Sequence, residues 1–316
     1  MTDKSPFITD DKLRRVTSYA SIGVAATLIA AKIVAYGLTD SVALLSSLVD
    51  SGVDLLASLI TAYGVHIALR PPDRDHRYGH AKAESLAALA QAGFILVSSA
   101  LLAKEAISRF ISPVPIQHPE IGYAVMGLAI IMTAGLLVLQ TYTVRRTRSL
   151  AIASDRLHYV GDILINLAVV ATFAFQQMLN ISWLDPAFAL AIAGSMCVGA
   201  VKITRLAVCV LMDAEVDEKD RSAIQELICG VDGVCGVHDL RTRRDGERLI
   251  VEAHVEMDAT LSLVEAHIIT EAVEVSLEEK YPQADVIIHQ DPVGVEEKRR
   301  DIEIERNHSH NEKKHV

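Results

Sequence analysis

Several things this chain has little of narrow its class before any motif is read. Cysteine is scarce: Cys197, Cys209, Cys229 and Cys235 are the only four in 316 residues, and no two stand in a C-x-x-C pair. They read as small buried residues of a reducing compartment rather than a disulfide framework. Positive charge is short, with 30 Lys and Arg against 40 Asp and Glu, a net charge of −10. A phosphate backbone needs a basic face, so nucleic acid is excluded as a partner. Proline is missing from the interior of every long apolar run; all nine stand outside such runs or at their first residue. A cleavage signal is missing too. Met1 to Arg15 is polar, and the apolar run Val16 to Leu38 is too long for a signal-peptide core and has no small-residue cleavage site.

What is present is apolar and unevenly charged. Apolar residues make up 51% of the chain, while 22% are charged, which forbids a chain that is all membrane. Up to Met212 there are 17 Lys/Arg and 14 Asp/Glu, a net of +3; from Asp213 onward there are 13 and 26, a net of −13. A hydrophobic first two-thirds is followed by an acidic soluble third, and acidity suits cations. Six membrane spans follow from apolar runs of about 20 residues or more: Val16–Leu38, Ser41–Leu69, Ala83–Phe110, Ile121–Val144, Ser149–Leu179 and Pro186–Met212. Asp185 is placed to cap the last, with Pro186 at its first helical position. Lys12, Arg14 and Arg15 precede the first span, Arg70, Arg74, Arg77 and Lys82 fill the second loop, and Arg145, Arg146 and Arg148 the fourth. The loops Gly37–Asp40, Ser112–Glu120 and Asn180–Asp185 hold no Lys or Arg. Positive loops face the cytoplasm, so both termini are expected there, as an even number of spans requires.

The second span carries two aspartates that lipid does not tolerate unanswered. Asp50 lies about 14 Å from the Ser41 end, near the middle of a hydrocarbon layer about 30 Å thick, and Asp54 follows one helical turn later on the same face. Each carboxylate there costs at least about 2.5–3.5 kcal/mol unless a cation or protons neutralise it. The fifth span repeats the spacing with His158 and Asp162. Two helices offering two ligands each can build a cage of three carboxylates and one imidazole, a donor set that suits zinc and other divalent first-row metals. Hydrogen bonds that merely pack helices are the plainer alternative for the acidic pair.

D-x-x-x-D on the second span and H-x-x-x-D on the fifth resemble the cation diffusion facilitator family, proton-coupled exporters of divalent metals. The resemblance continues through RPPDRDHRYGHAKAESLAALAQ (Arg70 to Gln91), VHDLRTR (Val237 to Arg243) and DVIIHQDP (Asp285 to Pro292), in order, and is strongest to the bacterial zinc and ferrous-iron efflux branch. It implies an α-helical membrane protein of six transmembrane helices over residues 1–212, a small α+β ferredoxin-like cytoplasmic metal-binding domain over 213–292, and then a charged, disordered tail over 293–316. It also implies a homodimer in the bacterial inner membrane, with membrane lipid as solvent for its spans. The resemblance maps a loop metal site onto Asp73, His76 and His80, which a solvated polar loop would equally explain. It pairs Lys82 with Asp213 as a charge interlock at the dimer interface.

After Met212 the periodicity changes. Asp217 to Cys229 and Leu263 to Lys280 read as helices. Val234 to Arg243, Arg248 to Met257 and Asp285 to His289 read as strands, the first two joined by a turn at Arg244–Glu247. This domain gathers His238, His254, His267, His289 and Asp291. Singly each histidine would be structural; at the family's positions they imply a metal site able to hold two zinc ions sharing Asp291.

The expected function is proton-coupled export of zinc, or of cadmium or ferrous iron, by alternating access around Asp50, Asp54, His158 and Asp162, with zinc also a regulatory ligand of the soluble domain. Imidazole is the side chain whose ordinary pKa falls in the working pH range, which makes His158 the natural proton acceptor. A membrane-bound metal sensor or storage protein would account for the soluble histidines but not for a buried cage. An intramembrane hydrolase finds no H-E-x-x-H, and a closed four-ligand cage lacks the open position catalysis needs.

Overall fold

The computed structural model describes residues 6–39, 42–111, 120–179, 183–246, 248–295 and 299–303. The chain divides into two compact units, Met1–Leu211 and Met212–Val316.

The first unit consists of six helices: α1 (Pro6–Thr39), α2 (Val42–Ala68), α3 (Lys82–Ile111), α4 (Glu120–Thr147), α5 (Leu150–Leu179) and α6 (Leu184–Leu211). Among the described residues, α1, α2, α3, α4 and α6 each hold a stretch long and apolar enough to cross a membrane. The fifth helix carries Asp155, Arg156, His158 and Asp162 in its first half. Helix α1 begins ten residues before the apolar run that announced it, because helix continues into polar sequence where Asp10 forms an ion pair with Arg146 of α4. Helix α6 begins at Leu184, so Asp185 stands inside its first turn rather than ahead of it, a difference within the usual fraying of helix ends. The expected lysine- and arginine-free loops fall largely on residues 112–119 and 180–182, outside the described residues.

This unit is polar inside and apolar outside. Val34, Leu38, Tyr63, Leu101, Ile131 and Val138 face outward, as a hydrocarbon solvent allows, while Thr17, Ser21, Ser58, Gln91, Gln140 and Thr143 are buried. Lipid gives helices no hydrophobic drive to associate, so close approach of small residues and hydrogen bonds must hold them together. Helices α3 and α6 make the most extensive contact in the unit, through Ala88, Ala92 and Ile95 against Met196, Ala200, Ile203 and Ala207. Cys197 and Cys209 do not take part. They are exposed on α6, and Cys229 and Cys235 are exposed as well, so the expectation of four buried cysteines fails. A small residue is needed only where two backbones approach, and there the chain uses alanine and glycine.

The second unit runs α7 (Glu218–Cys229), β1 (Gly236–Asp245), β2 (Arg248–Met257), α8 (Leu263–Lys280) and β3 (Ala284–Pro292). The sheet order is β1-β2-β3, antiparallel for the first pair and parallel for the second. Alternation along β2 decides the two faces. Leu249, Val251, Ala253, Val255 and Met257 join Ile224 and Ile228 of α7 and Val273 and Leu277 of α8 in an apolar core, leaving His254 and Glu256 on the other face. Ser262 and Glu265 form a reciprocal capping box that starts α8.

Gly64 of α2 shows how tight the helical unit is. A Cβ there would lie 2.3 Å from Cβ of Ala87 on α3. Gly64→Val is expected to force the helices apart and destabilise the protein by about 1–3 kcal/mol, measured as a lowered melting temperature in detergent. A melting temperature equal to the wild type would show that α2 and α3 do not depend on this approach.

Candidate metal centres

Three ligand groups emerge, two of them assembled from elements distant in sequence. In the first, α2 supplies Asp54 and α5 supplies His158 and Asp162, with one ligand atom of each within 4.8 Å of the others. The Nε2 of His158 lies 2.9 Å from Asp54 Oδ1 and 3.7 Å from Asp162 Oδ2. His158 is buried, and the two carboxylates are half-buried. Asp50, one turn earlier on α2, is exposed and stands outside this group. A cation that the sequence reading left aside is close by. Lys32 of α1 donates to Ser51 Oγ at 2.5 Å, and Asp54, Asp162 and Asp50 all act electrostatically on its ammonium. Its signal in the sequence was a lone lysine within an apolar run.

The second group is the loop after α2. Asp73 Oδ1 accepts from the backbone N–H groups of His76 at 2.7 Å and Asp75 at 3.0 Å. The same carboxylate lies 3.3 Å from His76 Nδ1 and 3.3 Å from His80 Nε2. The backbone N–H of His76 is the main reason the Asp73 carboxyl sits below its ordinary range, so it is ionised and available as a ligand at neutral pH. Desolvation acts the other way, and Asp75, His80 and the His76 ring add to the depression. His80 Nδ1 is buried and has no hydrogen-bond partner among the described residues.

The third group lies on the open face of the sheet in the second unit. Strand register places His238, His254 and His289 in one row across β1, β2 and β3, and Glu256 opposite Asp291 in the row beside it. Ring centroids in the histidine row are 5.1 and 4.6 Å apart, the spacing of neighbouring strands. Asp291 joins them: its carboxylate is 2.8 Å from His254 Nδ1, 3.3 Å from His238 Nε2 and 3.2 Å from His289 Nε2. Among the described residues, His238 Nδ1 and Asp291 Oδ1 are buried without hydrogen-bond partners. Orphaned donor atoms of this kind fit a metal ligand set. His267 is not brought to the group; it is exposed on α8, with Nε2 3.5 Å from Glu271 of the same helix.

Of the expected interlock, Lys82 opens α3 in the first unit, and Asp213 of the second unit lies 3.8 Å from Arg243. Two features here escaped the sequence. Glu256 Oε1 lies 3.4 Å from His238 Nδ1, and it also pairs with Arg299 from beyond β3. The expectation of a disordered tail over 293–316 meets an ordered piece at 299–303, which begins a helical turn. Asp239, at a bulge in β1 with φ of +48°, caps that turn by accepting from the N–H groups of Arg300 at 3.0 Å and Asp301 at 2.8 Å. In return Asp301 accepts from Asp239 N–H at 2.6 Å. Residues 304–316, with His308, His310 and His315, lie outside the described residues.

Comparison with known proteins covers both units. Residues 18–212 match the cation efflux transmembrane domain, and residues 216–293 match the cytoplasmic domain of cation efflux proteins. The chain is 40% identical over 291 residues to the cation-efflux pump FieF of Yersinia pestis (strain Pestoides F), covering 90% of this chain and 95% of that pump. It is 40% identical over 289 residues to the cation-efflux pump FieF of Serratia proteamaculans (strain 568), covering 90% and 94%. Among solved structures, the metal-bound C-terminal domain of the CzcD transporter from Thermotoga maritima matches at 25% identity. The match covers 26% of this chain and 100% of that domain, with a TM-score of 0.24.

The reciprocal caps between Asp239 and Asp301 predict what holds residues 299–303 beside the histidine row. Asp239→Ala removes two bonds to a charged acceptor, each worth about 1.5–3 kcal/mol. Amide hydrogen exchange at Arg300 and Asp301 should accelerate at least tenfold while exchange in β2 and β3 stays unchanged. Equal protection in variant and wild type would show that the segment is held by something else.

Proposed function

The chain belongs to the cation efflux family, and from that premise we propose that it is a homodimeric, proton-coupled antiporter carrying zinc out of the cytoplasm across a bacterial inner membrane. Membership makes it a multi-pass membrane protein that exports divalent metal cations, a transporter rather than an enzyme. Cadmium and ferrous iron are the further substrates its donor set would accept. The observation that carries the reading is the meeting of Asp54, His158 and Asp162 between two helices of a unit whose outer surface is apolar. Carboxylates in that setting need a cation or protons, and an imidazole among them supplies a softer donor that suits zinc.

The proposed cycle uses the same atoms for both substrates. Facing the cytoplasm, Asp54, His158 and Asp162 are deprotonated and bind metal, and Asp50 completes the set by turning its side chain inward. Facing outward at lower pH, His158 and a carboxylate take protons and the metal leaves. Competition for one set of lone pairs couples the two flows without a separate device. Lys32, drawn by the same carboxylates, balances part of their charge when neither substrate is present. His238, His254, His289 and Asp291, and the loop group at Asp73, are read as regulatory metal sites outside the transport path.

Metal-dependent proton flux in proteoliposomes, compared across zinc, cadmium, ferrous iron and manganese, tests the whole reading; a sensor or store would bind metal without flux. Asp54→Ala and Asp162→Ala each remove a ligand from a site with none to spare, so either should abolish transport while the protein still inserts. Transport at the wild-type rate would reject the site.

His158→Asp turns the donor set entirely to oxygen. Manganese transport should rise relative to zinc, by about tenfold for each 1.4 kcal/mol of changed preference. An unchanged zinc-to-manganese ratio would show that His158 does not set selectivity.

A further inference from the structure

One buried carboxylate stands outside the ligand group. Asp155, one turn before His158 on α5, is 1% exposed, and among the described residues no lysine or arginine pairs with it. Its Oδ2 accepts from Gln140 Nε2 of α4 at 2.8 Å. Its Oδ1 lies 3.4 Å from Ser58 Oγ of α2. Ser58 Oγ is 2.9 Å from the Tyr159 hydroxyl, which is 3.3 Å from the backbone carbonyl of Ser21 on α1. All four helices meet along this line, and Ser21, Ser58, Gln140 and Tyr159 are buried with Asp155.

The protons along the line can be counted. Asp155, Ser58, Tyr159 and the Ser21 carbonyl make three successive contacts. An ionised carboxylate at one end and a peptide carbonyl at the other can only accept. The two hydroxyls bring one proton each, so two protons serve three contacts, and one pair of buried oxygens faces without a hydrogen. A proton on Asp155 Oδ1 supplies the third. Asp155 then donates to Ser58, Ser58 to Tyr159, and Tyr159 to the carbonyl, while the bond from Gln140 to Oδ2 is kept. In that state each of the three contacts holds a proton, and an uncompensated buried charge is removed.

We propose that Asp155 is a proton-binding residue of the transport cycle that never touches the metal. The proposal rests on the transport reading above. On one helix, residues three apart have Cβ atoms about 5–6 Å apart, so Asp155 feels the charge that arrives at His158. A divalent ion on Asp54, His158 and Asp162 favours the ionised carboxylate. The Asp155 O–H bond breaks, its proton passes to water, and Ser58 turns its own proton towards Oδ1. Reprotonation of Asp155 reverses the step and loosens the metal. The titratable groups facing Asp155 are His158, Tyr159 and Asp162 of its own helix, with Asp54 one turn before Ser58 on α2. Among the described residues, helices α1 and α4 present to it the neutral Ser21 and Gln140, whose side chains both hydrogen-bond to it.

Counting protons released per zinc bound tests this, by titration calorimetry of the purified full-length protein in buffers of different ionisation heat. Asp155→Asn mimics the protonated form, since a carboxamide accepts from Gln140 and donates to Ser58. It should still bind zinc and release fewer protons, by up to about one per ion near neutral pH. Tyr159→Phe leaves Ser58 free to donate to an ionised Asp155 and should lower the count in the same direction; it decides the matter if Asp155→Asn does not assemble. A wild-type proton count in the assembled variants overturns the proposal, including the case where zinc affinity falls equally at every pH, which marks a purely positioning role. Zinc binding by the wild type that Asp54→Ala leaves untouched is a different failure: it rejects the transport reading itself, and this proposal with it.

Discussion

Loss of hydration is the condition each acid in the helical unit has to meet, and the arrangement of α1, α2, α4 and α5 follows from how they meet it. An ionised carboxylate deep in a low-dielectric region costs several kcal/mol unless partners replace the water. Asp54 and Asp162 share one imidazole, His158, and act together on the ammonium of Lys32. Asp50 stays exposed on α2. Asp155 pairs with no lysine or arginine among the described residues and relies on hydrogen bonds from Ser21, Ser58 and Gln140. These solutions differ in how easily each acid can exchange a proton or a metal, and a transporter needs that difference.

The two units are held together by opposite means. In the soluble unit, Leu249, Val251, Val255, Val273 and Leu277 form an apolar core and the polar face is open. In the helical unit the buried positions are largely alanine, serine, threonine and glutamine, and large apolar side chains point outward. Apolar contact is worth little between helices whose surroundings are equally apolar, so hydrogen bonds and close backbone approach at Gly64 and along α3 and α6 carry the association. The hydrogen bonds that hold the helical unit together therefore include those around Asp155, one turn from the ligand group at His158.

Much of this was legible without coordinates. A four-residue spacing of acids and histidine in apolar runs grouped Asp50, Asp54, His158 and Asp162, and the last three meet because helical periodicity projects directly onto space, while Asp50 stays outside. Alternation likewise put His289 and Asp291, two apart, on one face of an extended chain, while the family resemblance supplied their grouping with His254. What escaped depended on information that local pattern does not hold. Asp155 resembled an ordinary polar residue near a span end, since nothing local says which helices will cover it. His267 counted as a neighbour of the other histidines until its place on the exposed side of α8 separated it. The cysteines read as buried from general habit, yet a residue on α6 can be apolar, lie within a span and still face outward. Asp239 capping residues 299–303 required a bulge in β1 that no spacing announces.

The histidine row has a consequence for the order in which the soluble unit comes into being. His238 and His254 lie on neighbouring strands of one antiparallel hairpin, which can close as soon as Met257 has been made. His289 and Asp291 lie on β3, which pairs in parallel with β2 and can reach it only after the chain has travelled through α8. Half the row is a local product of synthesis, and the other half waits for a crossover of long-range contacts that form more slowly. The nascent chain thus offers two histidines well before it offers the carboxylate that joins the row, so the complete row exists only once the domain has folded.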